Sequence, residues 1–136
     1  MISADVYAAE ATVVPGRRFR DIAAVQDYLD SLTASDWWSE RFPGVTRIEA
    51  VPIRSSSVDA VGRPEMGRSA GVIGLTPRGR VELTVLHEVA HAVCPPAVGH
   101  GPLWVRTYLE LAYRSMGTGT WSDLHRAFTE QCVDIG

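Results

Sequence analysis

Four longer segments of the chain carry apolar residues at the spacing of an amphipathic α-helix. In residues 21–32, for example, apolar side chains recur at intervals of three and four residues. The predicted helices are residues 21–32, 81–93, 102–116 and 121–133. Pro95-Pro96 follows the second of them and cannot continue it, and Pro102 suits the first turn of the third.

Three other segments are rich in β-branched and small residues and are bounded by turn residues, as is typical of strands. They are residues 6–14, 45–53 and 70–76. Residues 55–67 are polar and contain glycine and proline, which favours a loop. Gly71 and Gly74 either weaken the last strand or mark the close approach of another backbone. The order of elements predicts an α+β fold, with a small, mainly antiparallel sheet packed on helices.

The composition indicates one globular domain spanning residues 1–136. Of these residues 46% are hydrophobic, and no apolar run approaches the roughly 20 residues that span a bilayer. The net charge is −3, and the cluster of arginines between positions 17 and 20 is too short to indicate a nucleic-acid surface. Cys94 and Cys132 lack CxxC spacing, and the first residues do not resemble a signal peptide. We expect a cytoplasmic protein that binds neither nucleic acid nor membrane.

Residues 87–91 read His87-Glu88-Val89-Ala90-His91, an HExxH sequence inside a segment predicted to be helical. A helix turns by about 100° per residue, so two histidines four residues apart project from the same side and can bind one metal ion. Zinc lowers the pKa of a bound water to about 7, and a carboxylate beside it can take the proton as the water attacks a carbonyl carbon. The pattern therefore predicts a catalytic zinc site, with Glu88 as general base.

A catalytic zinc ion needs a third protein ligand, and His100 is our candidate. It lies in a glycine-flanked loop after the double proline, where the chain can turn back toward the two histidines. Glu110 is a rival, since thermolysin-like enzymes use a glutamate about twenty residues downstream, but arginines one turn away on either side favour an exposed ion pair. Cys94 could also approach the metal, although a small buried side chain is more typical there. The metzincin pattern HExxHxxGxxH does not fit, because Ala97 replaces its last histidine.

The glycine-containing strand, the HExxH helix and the downstream His100-Gly101-x-x-Trp104 together resemble SprT-like zinc metallopeptidases, in particular the small metallohydrolases of actinobacteria and their phages. The resemblance covers residues 70–116. It implies one zinc ion per chain in a minimal zincin-like fold, with Glu88 as general base and a peptide or protein as substrate. The metal ligands it implies are His87, His91 and His100. SprT-like proteins often carry a C-terminal zinc ribbon, which this chain lacks, so DNA-linked proteolysis is not implied.

Two interpretations of the function follow. The first is a zinc-dependent hydrolase, most simply a metallopeptidase, for which Tyr108 and Tyr113 are candidate oxyanion donors and His125 a candidate for orienting a ligand. Each of these three residues is nevertheless more typical of core packing or of a solvated surface. The second is a non-catalytic interaction or regulatory domain with a structural zinc ion, in which Cys94 is the evident fourth donor.

Overall fold

A computed structural model describes residues 3–65 and 67–136. Within these residues, six helices pack with a three-stranded sheet. The helices are α1 (Ser3–Glu10), α2 (Ile22–Thr33), α3 (Asp36–Arg41), α4 (Glu82–Val93), α5 (Pro102–Met116) and α6 (Thr118–Glu130). The strands are β1 (Arg47–Pro52), β2 (Ala60–Glu65) and β3 (Ala70–Leu75), and 3₁₀ turns lie at Pro77–Gly79 and Pro96–Val98. The α+β class predicted from the sequence is confirmed.

The four predicted helices are present, with bounds close to those expected. Asp21 caps α2, and its carboxylate accepts a hydrogen bond from a backbone amide of the first turn at 2.9 Å. α4 stops before Pro95-Pro96, and α5 begins at Pro102. α6 begins at Thr118 rather than at residue 121. None of the helices in the described part of the chain has the length and apolar character needed to cross a membrane.

The strand predicted over residues 6–14 is wrong, because most of this segment belongs to α1. Val6, Ala9 and Val13 are buried at intervals of three and four residues, which is a helical spacing. The segment Ser3–Glu10 contains three alanines and a glutamate, all good helix formers. The buried side of α1 packs against α6, so tertiary contact and helix propensity together outweigh the β-branched residues.

The sheet is mixed, with strand order β1-β3-β2. β1 runs parallel to β3, and β2 runs antiparallel to it. The central strand β3 is almost entirely buried, which accounts for its uninterrupted apolar sequence. β2 lies inside residues 55–67, so the loop predicted there is wrong for residues 60–65. An edge strand tolerates Pro64, because its outer side needs no ladder hydrogen bonds.

α4 lies directly on β2 and β3 because a glycine stands at each crossing point. A Cβ atom added at Gly62 would overlap the Glu88 carbonyl oxygen and lie 3.0 Å from the Glu88 Cα. A Cβ atom added at Gly71 would lie 2.8 Å from the Ala92 Cβ. Gly71 therefore marks a close approach, one of the two roles its position in a strand allows.

A series of helix–helix contacts connects α4 to α1. α4 packs on α5, α5 on α6, and α6 on α1. Trp104 and Tyr108 of α5 and Phe128 of α6 are fully buried in this layer. The N-terminal helix thus lies beside residues that are far away in the sequence, and the side chains it brings there form part of the site described next.

Candidate metal centre

Helix α4 carries three of the predicted site residues on adjacent turns. His87 and Glu88 are buried, with 2% and 6% of their surface exposed, and His91 is partly buried. The two histidines are four residues apart in a continuous helix, so their rings project from the same side. Their ring centroids are 5.1 Å apart.

The loop after α4 brings His100 back to this side of the helix. The chain leaves α4 through the prolines and the turn Pro96–Val98, and the Gly101 amide then donates to the Val98 carbonyl at 2.8 Å. Gly99 has φ +51° and ψ −128°, a left-handed conformation that residues with a Cβ rarely adopt. This glycine reverses the chain direction immediately before His100.

The three imidazoles present their Nε2 atoms to one point. His100 Nε2 lies 3.0 Å from His91 Nε2 and 3.2 Å from His87 Nε2. Zn–N bonds of about 2.0–2.1 Å in a tetrahedral site place two nitrogen ligands about 3.3 Å apart. The three ligand atoms all lie within 4.8 Å of one another, and the cluster could hold a metal ion.

Trp104, on the first turn of α5, contacts the rings of all three histidines. Its indole is fully buried and stacks on His91, with centroids 4.9 Å apart and planes 23° from parallel. The same indole lies 4.4 Å from the His100 ring and 4.6 Å from the His87 ring. One rigid side chain therefore limits the rotation of all three imidazoles.

Burial keeps two of the imidazoles neutral, which is the form that binds metals. Desolvation, together with the nearby His87 and His100 rings, lowers the pKa of His91 to about 3. Desolvation and His87 lower the pKa of His100 to about 4. For His87 burial also opposes the charged form, but the hydrogen bond and charge of Glu10, with Glu88, outweigh it and raise the pKa of His87.

Two carboxylates lie beside the histidines. Glu10 of α1 contacts His87 Nδ1 at 2.9 Å, and Glu88 lies 3.8 Å from His87 Nε2. Their side chains are only 15% and 8% exposed, and within the described residues neither forms an ion pair with an arginine. Two nearly buried carboxylates are costly to ionise, and here they share a single basic neighbour, the imidazole of His87. A divalent cation among the imidazoles would offset both, so the charge of the site fits a metal ion as well as its geometry does.

The Glu88 carboxyl is suited to exchange protons near neutral pH. Burial raises its pKa to about 7, with a further increase from the charge of Glu10 and an opposing decrease from His87. A general base works best when its pKa lies near the working pH. Since Glu88 sits beside the convergent Nε2 atoms, it is close to any molecule bound at the same point.

A cleft of about 610 Å³ opens on one side of the cluster. His87 and Glu88 line it, together with Tyr7 of α1, residues 56–60 before and at the start of β2, and Arg78. Tyr7 is 57% exposed, and its ring stacks on His87 with centroids 5.6 Å apart. Glu88 therefore lies at the wall of a cleft that opens to solvent.

The rival ligands lie elsewhere. The Cys94 thiol contacts the Thr107 hydroxyl at 3.5 Å and does not belong to the cluster. Glu110 pairs with Arg41 at 2.7 Å and with Arg114 at 3.7 Å on the outside of α5.

The candidate oxyanion donors are likewise poorly placed. Tyr108 is fully buried and its hydroxyl is bonded to Glu10, so it cannot meet a substrate directly. Tyr113 and His125 lie against Trp121, between α5 and α6, and neither lines the cleft beside Glu88.

Tyr7 and Glu10 are not among the predicted site residues, because a strand was expected over residues 6–14. In a strand, residues three apart face opposite sides of a sheet, whereas in a helix they share one face. The spacing of Val6, Ala9 and Val13 was the available signal for a helix. It would have placed Tyr7 and Glu10 on a common side of α1, although nothing local links that side to His87.

No protein-family model matches this chain, and no curated protein or solved structure matches it either. The resemblance to SprT-like enzymes therefore stays a prediction carried by residues 70–116. What the fold itself adds is an α+β chain that gathers His87, His91 and His100 into a cluster able to hold a metal ion.

Proposed function

We propose that this protein is a zinc-dependent hydrolase that cleaves peptide or other amide bonds. The observation that carries the proposal is the convergence of three imidazole Nε2 atoms beside the buried Glu88 carboxylate, at the wall of an open cleft. Three histidines with room for a further ligand are the donor set of many catalytic zinc sites.

The residues would divide the chemistry as follows. Zinc bound by the three histidines supplies a Lewis acid that polarises a carbonyl group and makes water more acidic. Glu88 accepts a proton from the attacking water and later delivers it to the leaving amine. Tyr7 and residues 56–60 hold the substrate in the cleft and limit the access of bulk water to Glu88.

A structural zinc site would need a fourth protein donor. Cys94 was the candidate, but its thiol contacts Thr107 and stands outside the histidine cluster. Among the described residues, only the three histidines form a group with metal-ligand spacing. The side of the cluster toward Glu88 and the cleft is where a substrate would be bound, which favours the catalytic interpretation.

The test begins with the metal content of the purified protein, measured by elemental mass spectrometry. About one zinc per chain is expected for a three-histidine site. Peptide-library cleavage is then compared between the wild type, Glu88→Gln and Glu110→Gln. Loss of the general base should lower turnover by roughly 10²–10⁴-fold with zinc retained. Glu110→Gln makes the same chemical change in a surface ion pair and should leave turnover unchanged.

The outcomes separate cleanly. Turnover that persists in Glu88→Gln would remove this carboxylate from the mechanism. A wild-type protein that neither contains zinc nor takes it up on titration would exclude the metal site and with it the hydrolase. Zinc binding without cleavage of any library member would leave the structural-zinc interpretation as the better one.

A further inference from the structure

Glu10 joins the N-terminal helix to the histidine cluster across 77 positions of sequence. Its Oε1 lies 2.9 Å and its Oε2 3.1 Å from His87 Nδ1. His87 Nε2, on the other side of the same ring, points to His100 Nε2 at 3.2 Å. The two nitrogens of one imidazole therefore serve two different partners.

This contact selects one tautomer of the ring. A carboxylate can only accept a hydrogen bond, so Nδ1 of His87 must carry the proton. In the neutral imidazole the lone pair then resides on Nε2, the atom that faces the other two histidines. The opposite tautomer would place a proton at the centre of the cluster and block a metal ion.

A second donor fixes the Glu10 carboxylate. The hydroxyl of the fully buried Tyr108 donates to Glu10 Oε2 at 2.7 Å. The Leu83 carbonyl lies farther from the same hydroxyl, at 3.2 Å, and is uncharged, so the carboxylate is the stronger acceptor. With both oxygens engaged, Glu10 holds the His87 ring at a defined angle.

We propose that Glu10 is a positioning residue for the metal: it fixes the tautomer and direction of His87 and thereby couples the docking of α1 to metal binding. The proposal rests on the metal site of the proposed function, but not on hydrolysis. Coupling is reciprocal, so a metal ion should also favour the docked position of α1. Carboxylates that orient metal-binding histidines commonly contribute 10- to 100-fold in metal affinity.

The main experiment measures the zinc dissociation constant by competition with a chromophoric chelator, well below the unfolding temperature. Glu10→Ala should weaken zinc binding by about 10- to 100-fold. Glu10→Gln keeps an acceptor oxygen but not the charge, and should lie between the wild type and Glu10→Ala. Asp5→Asn removes a carboxylate from the same helix and should bind zinc like the wild type, since within the described residues no hydrogen bond or ion pair joins Asp5 to the cluster.

A spectroscopic measurement distinguishes positioning from general stability. In ¹⁵N-labelled, zinc-loaded protein, His87 should show a protonated Nδ1 whose hydrogen exchanges slowly with water. Glu10→Ala should lose that slow exchange even where the variant remains folded. Tyr108→Phe removes the hydroxyl that fixes the carboxylate but keeps the ring, so it should retain the Nδ1 proton and weaken zinc binding by less than Glu10→Ala does.

The inference is overturned if folded Glu10→Ala and Glu10→Gln bind zinc as tightly as the wild type, whichever His87 tautomer they show. If Glu10→Ala does not fold, Glu10→Gln alone decides, because it preserves the size of the side chain. Failure of the wild type to bind zinc overturns both the proposed function and this inference. Tight zinc binding in all variants overturns the inference and leaves the proposed function standing.

Discussion

The two sides of α4 are fixed in different ways. On the side of the sheet, backbone and methyl groups touch strands that have only hydrogen at Gly62 and Gly71. On the opposite side, the His91 ring stacks on Trp104, and the His87 ring is fixed by an edge contact with the same indole and by the Glu10 carboxylate at its Nδ1. Packing on the sheet side requires that no Cβ atom be present at the two glycines, whereas the histidine side requires that the imidazole rings point in defined directions. The effects of disturbing one side should therefore be distinguishable from the effects of disturbing the other.

The largest expected effect comes from removing the metal, which acts on the histidine side alone. Zinc present at 1,000 times its dissociation constant would stabilise the fold by about 4 kcal/mol. For a chain of this size, chelation should then lower Tm by roughly 10–15 °C. The far-UV circular dichroism at 20 °C should not change, because the hydrophobic core that joins the helices and the sheet is formed by side chains other than the three histidines.

Thermal unfolding with and without chelator measures this effect, and His91→Ala is the control. That variant lacks a ligand, so chelator should hardly change its Tm. Chelation that unfolds the wild type at room temperature would contradict the expectation that the core is folded without the metal ion. It would favour the structural-zinc interpretation instead.

The second effect acts on the sheet side. Gly62→Ala places a Cβ against the Glu88 backbone, where neither partner is a flexible side chain. We expect a loss of about 3 kcal/mol in the free energy of unfolding, at the upper end of overpacking costs. Because Glu88 belongs to the helix that is pushed away, zinc affinity should fall as well. Urea unfolding and chelator competition measure the two quantities, and an unchanged urea midpoint would mean that β2 and α4 lie farther apart than described.

The same contrast explains which parts of the site could be predicted from the sequence. Two histidines four residues apart need only a helix to share one side, and the apolar spacing predicts that helix. His100 could be predicted because glycines and prolines mark the return of the chain. These signals are local, so a sequence pattern contains them.

The missed parts depend on contacts between distant segments. Gly62 and Pro64 are typical loop residues, yet β2 contains both, since the crossing helix requires a glycine and an edge strand tolerates a proline. No local sequence pattern indicates that Glu10 belongs to the metal centre, because its partner His87 lies in another element. Glu10 reaches His87 because α1 packs on α6, a contact that the sequence of residues 6–14 does not specify.

The smallest effect concerns Gly71, where the obstacle is a single methyl group. Gly71→Ala brings a Cβ to 2.8 Å from the Ala92 Cβ, and we expect a cost of about 1–2 kcal/mol, because α4 can shift slightly. Combining it with Ala92→Gly removes the opposing methyl, so the double variant should be more stable than the sum of the two single losses predicts. Gly119→Ala, in open space on α6, should be neutral or stabilising by up to about 1 kcal/mol. If the effects of Gly71→Ala and Ala92→Gly on urea unfolding are strictly additive, the methyl contact does not set the distance between α4 and β3. Gly71 would then matter for the conformation of β3 and not for the approach of α4.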